Sequence, residues 1–247
     1  MHKVTFIVPV YNAEQCIERC VRSLFEQTLA DIEYIFVDDC TPDKSMEVLE
    51  RVLKEYPKRA ESTVIIRHEK NTGQSGARRD GIKAATGEYL IHCDADDWVD
   101  TDMYESMYNK AKEDGVEAVC CDIVLEFDNQ SVTLSVTDEY DDHQMMYDCK
   151  APISVEYFSM CNRLVSREVF ERNTILPFEG VNMWDDVGLA TRVRYYVRST
   201  SAINRGFYHY NRQNEQSTTR RPLLERVREQ DKCIECIEDF FRKENDY

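Results

Sequence analysis

The chain has 247 residues, of which 42% are hydrophobic, and its formal net charge is -16 at pH 7. A chain of this length can bury one full domain core, and its composition is that of a globular rather than a disordered protein. The acidic balance disfavours binding to nucleic acid. Because no apolar run is long enough to span a bilayer and no secretory leader pattern opens the chain, we expect a cytoplasmic protein.

The ten cysteines do not indicate a disulfide framework. They fall mainly on apolar positions of predicted helices and strands, where a free cysteine behaves as a small buried hydrophobe. Cys233 and Cys236 form a CxxC pair, but no second pair follows at the spacing of a zinc site. We therefore interpret this pair as one face of a terminal helix.

Positive charge is concentrated towards the C-terminus. From Arg192 to Arg228 the chain carries nine arginines and two glutamates, which makes this segment +7 and the remainder -23. Two interpretations are equally open: the segment meets an anionic ligand, or it is a solvated helix face. An anionic ligand of this kind would be a lipid-diphosphate acceptor or the anionic inner face of a membrane, contacted peripherally.

Apolar periodicity in the first hundred residues alternates between strand and helix. The predicted elements, in chain order, are a strand over 4–8 that ends at Pro9, a helix with Ile17, Cys20, Val21, Leu24 and Phe25 inward, a strand over 32–37, a helix capped by Asp43, a strand over 64–66, a helix over 76–85 and a strand over 89–93. This alternation predicts an α/β fold with a mainly parallel, doubly wound sheet.

The pattern changes after Trp98. The further predicted elements are a helix with Tyr104, Met107, Tyr108 and Ala111 inward, a hairpin of 118–127 and 132–134, an exposed acidic loop over 138–142, and a last helix after Pro222 with Leu223, Val227, Ile234, Ile237 and Phe241 on one stripe. The region between 143 and 221 shows mixed periodicity, and periodicity alone predicts no elements there.

Polar side chains directly follow three of the predicted parallel strands. They are Tyr11 and Asn12, then Asp38 and Asp39, and then the run Asp94–Asp97. Ligands of open α/β sheets bind at the carboxyl ends of the strands. We therefore expect these three groups to converge on one crevice.

The first candidate for chemistry is the run Asp94-Ala95-Asp96-Asp97. Alternation along a strand end would point Asp94 and Asp96 the same way, and two converging carboxylates favour a shared cation. Mg²⁺ and Mn²⁺ take carboxylate oxygens and leave coordination positions open for substrate phosphates. The plainer interpretation is a solvated acidic turn that caps the helix beginning near Thr101.

The second candidate is Asn71-Thr72-Gly73-Gln74-Ser75-Gly76-Ala77-Arg78, where glycines precede a helix. Backbone N–H groups at such a helix start can approach an anion, and Arg78 adds a planar fork for a phosphate or a carboxylate. The stretch is neither a Walker A loop nor a GxGxxG loop. The alternative is an ordinary turn into a helix.

The third candidate is Trp184-Asp185-Asp186. Two adjacent acids beside an aromatic ring offer a general base whose pKa is adjusted by partial burial. Such pairs also cap helices, as this pair would for a helix over 187–196.

Taken in order, these motifs resemble those of family 2 glycosyltransferases, which have the GT-A fold. The family's first strand is similar to Val4-Thr5-Phe6-Ile7-Val8-Pro9-Val10-Tyr11-Asn12. Its second motif resembles Val37-Asp38-Asp39-Cys40-Thr41-Pro42-Asp43, with Cys40-Thr41 where Gly-Ser is usual. The stretch 71–81 resembles the family's Asn-x-Gly-x-x-x-Ala-Arg-Asn-x-Gly, and the DxD motif is matched by Asp94-Ala95-Asp96-Asp97.

The later motifs continue the resemblance to about residue 220. The Asn-Lys-Leu of the family's acceptor half resembles Cys161-Asn162-Arg163-Leu164. Asp185-Asp186 stands where the family has Glu-Asp. Tyr208-His209-Tyr210 with Ser217 resembles the segment that closes the family's domain. The ordered set is far more specific than any single motif.

The resemblance implies a GT-A domain over 1–221, with a nucleotide-sugar-binding half over 1–97 and an acceptor half over 98–221, followed by an amphipathic helix over 222–247. It implies transfer of a sugar from a nucleotide sugar, typically UDP-linked, to a glycan or lipid-linked acceptor, with inversion and with Mn²⁺ or Mg²⁺ as cofactor. The Gln-x-x-Arg-Trp motif of processive members is missing from the sequence. This implies transfer of one sugar at a time, in surface polysaccharide or other glycan assembly.

Nucleotide-binding roles carry over from the family to five positions. Pro9, Tyr11 and Asp39 would line the nucleobase pocket, with Tyr11 against the ring and Asp39 accepting from the imide. Arg78 would approach the phosphates, and Asp94 would meet the ribose or the metal-bound diphosphate.

The resemblance assigns metal binding and catalysis to other acids. Asp96, together with Asp94, would ligate the metal, and Asp186 would take the proton from the acceptor hydroxyl. The supporting positions would be Asn12, Asp38, Asp97 and Asp185.

Two other functions share some of these features. A nucleotidyltransferase that makes nucleotide sugars needs a Gly-rich loop followed by Arg or Lys after the first strand, whereas this chain has Val10-Tyr11-Asn12-Ala13-Glu14 there. A non-catalytic nucleotide- or metal-binding module would explain the DxD run. It would leave Asp186 and the acceptor-like half without a role.

Overall fold

The computed structural model describes residues 2–135, 158–214 and 222–244 of the protein. The strands are β1 (Val4–Val10), β2 (Ile32–Asp38), β3 (Thr63–Arg67), β4 (Tyr89–His92), β5 (Trp98–Val99), β6 (Ala118–Glu126), β7 (Ser131–Leu134), β8 (Arg163–Ser166) and β9 (Thr200–Asn211). The helices are α1 (Ile17–Phe25), α2 (Ser45–Leu53), α3 (Pro57–Ala60), α4 (Gly73–Ala84), α5 (Met103–Asp114), α6 (Arg167–Arg172), α7 (Asp185–Tyr196) and α8 (Leu223–Lys243). The predicted acidic loop over 138–142 lies outside the described residues.

The strands of the described ranges form one mixed sheet. Its order is β3-β2-β1-β4-β8-β6-β9-β5, and β7 pairs with β6. β3, β2, β1 and β4 run parallel, whereas β8 is antiparallel to both β4 and β6. The chain moves outward from β1 to β3 and then returns to the other side of β1, which creates a switch point between β1 and β4. The predicted parallel, doubly wound arrangement is therefore confirmed for the first half of the sheet.

The sheet is covered by helices on both faces because its central strands are apolar throughout. Phe6 and Val8 of β1 pack into a core with α1, α2 and α5. Ile7 packs into a second core with α4, α6 and α7. Successive side chains of a strand point to opposite faces, so both faces of such a strand need a cover.

β1 continues past its predicted end at Pro9. The Ile7 carbonyl accepts the Cys93 N–H at 3.0 Å, and β4 has already ended at His92. The next residue of β1 that faces this side is Pro9, so its missing N–H leaves no ladder hydrogen bond unmade. On the other side, pairing with β2 continues through Pro9 to Val10.

Left-handed backbone follows each of the first two strands. Asn12 has a φ of 53° after β1, and Cys40 has a φ of 57° after β2. The Asn12 N–H donates to Thr41 Oγ1 at 2.9 Å, so the two turns hold each other. Cys40 stands where the resembled motif usually has glycine, the residue that adopts positive φ most readily.

The helix α8 buries a different face from the predicted one. Leu223 is 66% exposed and Ile234 is 43% exposed, whereas Cys233 and Phe241 are buried. The inward face is decided by α7, because Gly188 lets Cys233 approach closely and Tyr195 packs edge-on against Phe241. The stripe predicted from periodicity is therefore wrong for Leu223, Val227 and Ile234, which are exposed, and right for Phe241, which is buried.

The described cysteines lie mainly at buried positions, as the sequence predicts. All cysteines that the structure describes are free thiols, and most of them are buried. In the described ranges no helix is long and apolar enough to cross a bilayer.

Candidate active site

The three strand-end groups converge on one cavity of about 700 Å³. Tyr11 and Asn12 line it from the end of β1, Asp39 lines it from the end of β2, and Asp94–Asp97 line it from the turn after β4. The expected crevice at the switch point of the sheet is therefore confirmed. Asp185 and Asp186 of α7 line the same cavity.

The positions predicted to receive a nucleobase lie on one wall of this cavity. Pro9 and Tyr11 line it, and Tyr11 is 48% exposed, so its ring is open to a stacking partner. Asp38 lies behind this wall. Its carboxylate accepts the Thr41 N–H at 2.9 Å and pairs with Arg67 at 3.0 Å, which supports the turn after β2.

Asp39 caps the helix α4. Its Oδ1 accepts the Thr72 N–H at 2.7 Å, and its Oδ2 accepts the Gly73 N–H at 2.8 Å. A carboxylate is the strongest kind of partner for the first N–H groups of a helix, so α4 begins at Gly73, three residues before the predicted start. The helix start that was expected to receive a ligand anion therefore already holds the carboxylate of Asp39.

Asn182, from the loop before α7, contacts the same helix start. Its Oδ1 accepts from Ser75 Oγ at 3.0 Å and from the Ser75 N–H at 3.3 Å. A Cβ on Gly73 would lie 2.2 Å from Asn182 Oδ1. The glycine of the predicted anion-binding loop is therefore required for the approach of Asn182.

Arg78 connects the two acidic motifs. Its Nη2 donates to Asp94 Oδ1 at 2.7 Å and its Nη1 donates to Asp185 Oδ2 at 2.5 Å, and only 2% of its side chain is exposed. Burial opposes the charge of this guanidinium, but the carboxylates of Asp185 and Asp94 outweigh burial and raise the pKa of Arg78 well above its usual value. The sequence left open whether the Arg78 guanidinium meets a phosphate or a carboxylate. In the structure it pairs with the carboxylates of Asp94 and Asp185.

Asp94 and Asp96 bring two carboxylates to the cavity. Asp94 Oδ1 also accepts from Gln74 Nε2 at 3.1 Å, and Asp96 Oδ2 accepts from Asn214 Nδ2 at 2.7 Å. Burial, and then the charge of Asp94, raises the pKa of Asp96 to about 6. A buried carboxyl group beside a like charge is one whose ionised form a divalent cation stabilises strongly.

The donor set fits Mg²⁺ or Mn²⁺ that is shared with a substrate. Among the residues described, no three His, Cys, Asp or Glu side chains form a ready-made metal cluster. Mg²⁺ is commonly held by one or two carboxylates plus substrate phosphates and water. Asp94 and Asp96 are therefore sufficient as the protein's share of such a site.

Asp97 has a structural position beneath the turn. It is buried, it accepts the Asn211 N–H at 2.8 Å, and it accepts a short hydrogen bond from the Tyr208 hydroxyl. Burial, and then the charge of Asp96, raises its pKa well above the usual value. Asp97 thereby ties the end of β9 to the DxD turn.

Asp186 lies in the first turn of α7, after Trp184, whose φ is 64°. Its Oδ1 accepts the Val187 N–H at 2.9 Å. Burial, and then the charge of Asp185, raises the pKa of Asp186 to about 7. A carboxyl group that titrates near neutrality is well matched to accept a proton from a substrate.

Sequence reasoning missed four residues that line the cavity from the C-terminal part. Arg212 and Asn214 follow β9, and Arg226 and Gln230 belong to α8. The positive charge of the segment was the available signal for the arginines. No local pattern indicated that α8 returns to the cavity.

The arginines of the basic segment have different environments. Arg192 is buried, with its guanidinium 3.7 Å from the centre of the Phe178 ring. Arg205 forms ion pairs on the surface. Arg212 and Arg226 line the cavity, which favours the anionic-ligand interpretation for these two residues.

We expect Arg78→Ala to lower the free energy of unfolding by about 3–5 kcal/mol at pH 8, because it leaves Asp94 and Asp185 without their counter-charge. The loss should shrink at pH 5, since unpaired buried carboxyl groups take up protons more readily. Urea unfolding at the two pH values measures both effects. The control is Arg79→Ala on the same helix, where the guanidinium is 3.8 Å from the exposed Glu179 and donates to the Pro177 carbonyl, so that no buried carboxylate loses its partner. Equal unfolding midpoints for the two variants would contradict the expectation.

Comparison with known proteins relates this chain to one family. The model of the family "Glycosyl transferase family 2" matches residues 5–174. The Bacillus subtilis (strain 168) protein described as uncharacterized glycosyltransferase EpsJ is 32% identical over 224 residues, which cover 89% of this chain and 63% of EpsJ. The chain therefore spans less than two thirds of the length of that relative.

Solved structures share the fold. Staphylococcus aureus TarS 1-349 in complex with UDP-GlcNAc has a TM-score of 0.75 at 18% identity, covering 90% of this chain and 62% of that chain. The mannosyltransferase PcManGT from Pyrobaculum calidifontis, in complex with GDP-Man and Mn²⁺, has a TM-score of 0.61 at 19% identity, covering 87% and 58%. The fold is therefore of the GT-A type, and the chain belongs to glycosyltransferase family 2.

Proposed function

We propose that the protein transfers a single sugar from a UDP-linked donor to an acceptor hydroxyl, with inversion, in the assembly of a surface polysaccharide or another glycan. The observation that carries this proposal is that Asp94, Asp96 and Asp186 line one cavity. Arg78 contacts Asp94 and the neighbour of Asp186, so the leaving-group site and the base are adjacent. The nucleotide sugars in the TarS and mannosyltransferase structures support a donor of this class.

Three residues at the ends of β1 and β2 are proposed to bind the nucleobase. The exposed ring of Tyr11 offers a stacking surface beside Pro9. A carboxylate oxygen accepts two hydrogen bonds, and the Gly73 N–H uses one position on Asp39 Oδ2. The second position suits the imide N–H of uracil, which supports UDP as the nucleotide.

The diphosphate is proposed to lie between the DxD turn and the end of β9. Asp94 and Asp96 would hold Mn²⁺ or Mg²⁺, which when bound neutralises the charge that grows on the leaving group. Arg212 lines the same cavity and supplies a further positive charge for the diphosphate. Arg78, predicted as a nucleotide contact, is assigned instead to position Asp94 and Asp185.

The chemical step is proposed to be one displacement at the anomeric carbon. The acceptor oxygen attacks from the face opposite UDP, and the proton of its hydroxyl passes to the carboxylate of Asp186. The bond between the anomeric carbon and the phosphate oxygen breaks, and its electron pair leaves with UDP. The carboxyl group of Asp185, which pairs with Arg78, raises the pKa of Asp186 and so strengthens Asp186 as a base.

The acceptor is proposed to be a glycan or a lipid-linked saccharide. Met183, Trp184, Arg226 and Gln230 line the same cavity as Asp186. An aromatic ring together with planar polar groups suits a sugar ring with its hydroxyls. A cytoplasmic location and a peripheral membrane contact stay predictions.

Replacement of the base tests the catalytic assignment. Asp186→Asn keeps the shape of the side chain but removes its basicity, so we expect kcat to fall by roughly 10²–10⁴ while UDP binding is retained. Release of UDP from a panel of donors and acceptors measures the rate. Asp31→Asn at an exposed position is the control and should keep the wild-type rate. A wild-type kcat for Asp186→Asn would refute the assignment.

Replacement of a metal ligand tests the cation site separately. We expect Asp96→Asn to lose the increase in UDP affinity that Mn²⁺ produces in the wild type, because an amide oxygen carries no charge for the cation. Calorimetric titration of UDP with and without Mn²⁺ measures this increase, and Asp31→Asn again serves as the control. Titrations of Asp96→Asn that match the wild type would show that Asp96 does not bind the metal.

A further inference from the structure

The helix α8 contacts the loop that carries the base. The Cys233 thiol donates to the Trp184 carbonyl at 3.2 Å, and Cys233 is completely buried. The neighbouring Lys232 Nζ donates to the Gly180 carbonyl at 3.0 Å. Two adjacent residues of α8 therefore hold the loop that leads directly into the first turn of α7.

The hydrogen bond from Cys233 acts on Trp184, whose backbone conformation is unusual. Its φ of 64° lies in the left-handed region, which a bulky residue rarely adopts. Its carbonyl accepts the Gly188 N–H at 2.9 Å, the first hydrogen bond of α7. The Cys233 thiol is a second donor to the same oxygen, so it fixes the peptide plane that joins Trp184 to Asp185. The direction in which the carboxyl group of Asp186 points depends on that plane.

The contact is built into the packing of α7 against α8. A Cβ on Gly188 would lie 2.8 Å from the Phe178 ring and 3.3 Å from Cys233 Sγ, so the absence of a side chain at Gly188 gives both groups room beside α7. The Phe178 ring is also in contact with the guanidinium of Arg192, which lies over it. The hydrogen bond therefore joins two closely packed helices and does not depend on a flexible surface side chain.

We propose that Cys233 is a positioning residue: by holding the Trp184 carbonyl it orients Asp186 towards the acceptor hydroxyl. This inference rests on the proposed role of Asp186 as the base. It makes α8 a part of the catalytic unit, in agreement with Arg226 and Gln230 of the same helix lining the cavity.

The thiol keeps its proton at neutral pH, as a donor must. Burial, and then the charge of Asp186, raises the pKa of Cys233 to about 12. The thiol contacts the carbonyl of Trp184, two residues before the proposed base. Cys236, three residues further along α8, is only half-buried and provides a matched position without this contact.

Kinetics of three cysteine variants test the proposal. We expect Cys233→Ala to lower kcat on the order of tenfold to a hundredfold, with the KM for the donor and the Kd for UDP unchanged, because the base is displaced and the donor site is not. Cys233→Ser keeps a hydrogen-bond donor and should recover part of the rate. Cys236→Ala should keep the wild-type kcat. Thermal unfolding of each variant shows that the folded protein is being compared.

A double-mutant cycle separates positioning from a general structural role. If Cys233 acts through the base, Cys233→Ala should cause no further loss in the Asp186→Asn background. A wild-type kcat for Cys233→Ala, or equal losses in the two backgrounds, would overturn the positioning role while the loss in Asp186→Asn alone still supports the proposed function. Full transfer by Asp186→Asn would overturn the proposed function itself.

Discussion

Arg78 holds the two acidic motifs of the protein in one place. It donates to Asp94 at 2.7 Å and to Asp185 at 2.5 Å from a side chain that is 2% exposed. A buried charge is tolerated only while its partners are present, because loss of one leaves the others without compensation. The helix α4, the turn after β4 and the start of α7 are therefore fixed relative to one another, and the adjacency of the DxD turn and Asp186 follows.

The loops of this site are held by contacts from other elements. Asn12, Cys40 and Trp184 have left-handed backbone, which is unfavourable for residues with a side chain. Thr41 accepts from the Asn12 N–H, and Cys233 donates to the Trp184 carbonyl. Backbone conformations of this kind persist where surrounding structure over-determines them, and they keep the residues around the cavity in place.

Local patterns were sufficient for much of the fold and for the position of the site. The end of each parallel strand can be predicted from its own residues, and the sheet then brings Tyr11, Asp39 and Asp94 together without further information. The partners of Asp39 and Arg78 could not be predicted, because a cap and a carboxylate pair depend on residues distant in sequence. The inward face of α8 was predicted only in part, because its packing partners Gly188 and Tyr195 lie on another helix.

We propose that Asp186 acts as the base, and burial together with the charge of Asp185 raises its pKa to about 7. The pH dependence of kcat/KM tests this most directly, since only the ionised carboxylate can accept the acceptor's proton. We expect kcat/KM to rise with pH through an apparent pKa near 7, to reach a plateau above it, and to lose this rise in Asp186→Asn. A wild-type profile that is flat across neutral pH, or an identical rise in Asp186→Asn, would contradict it.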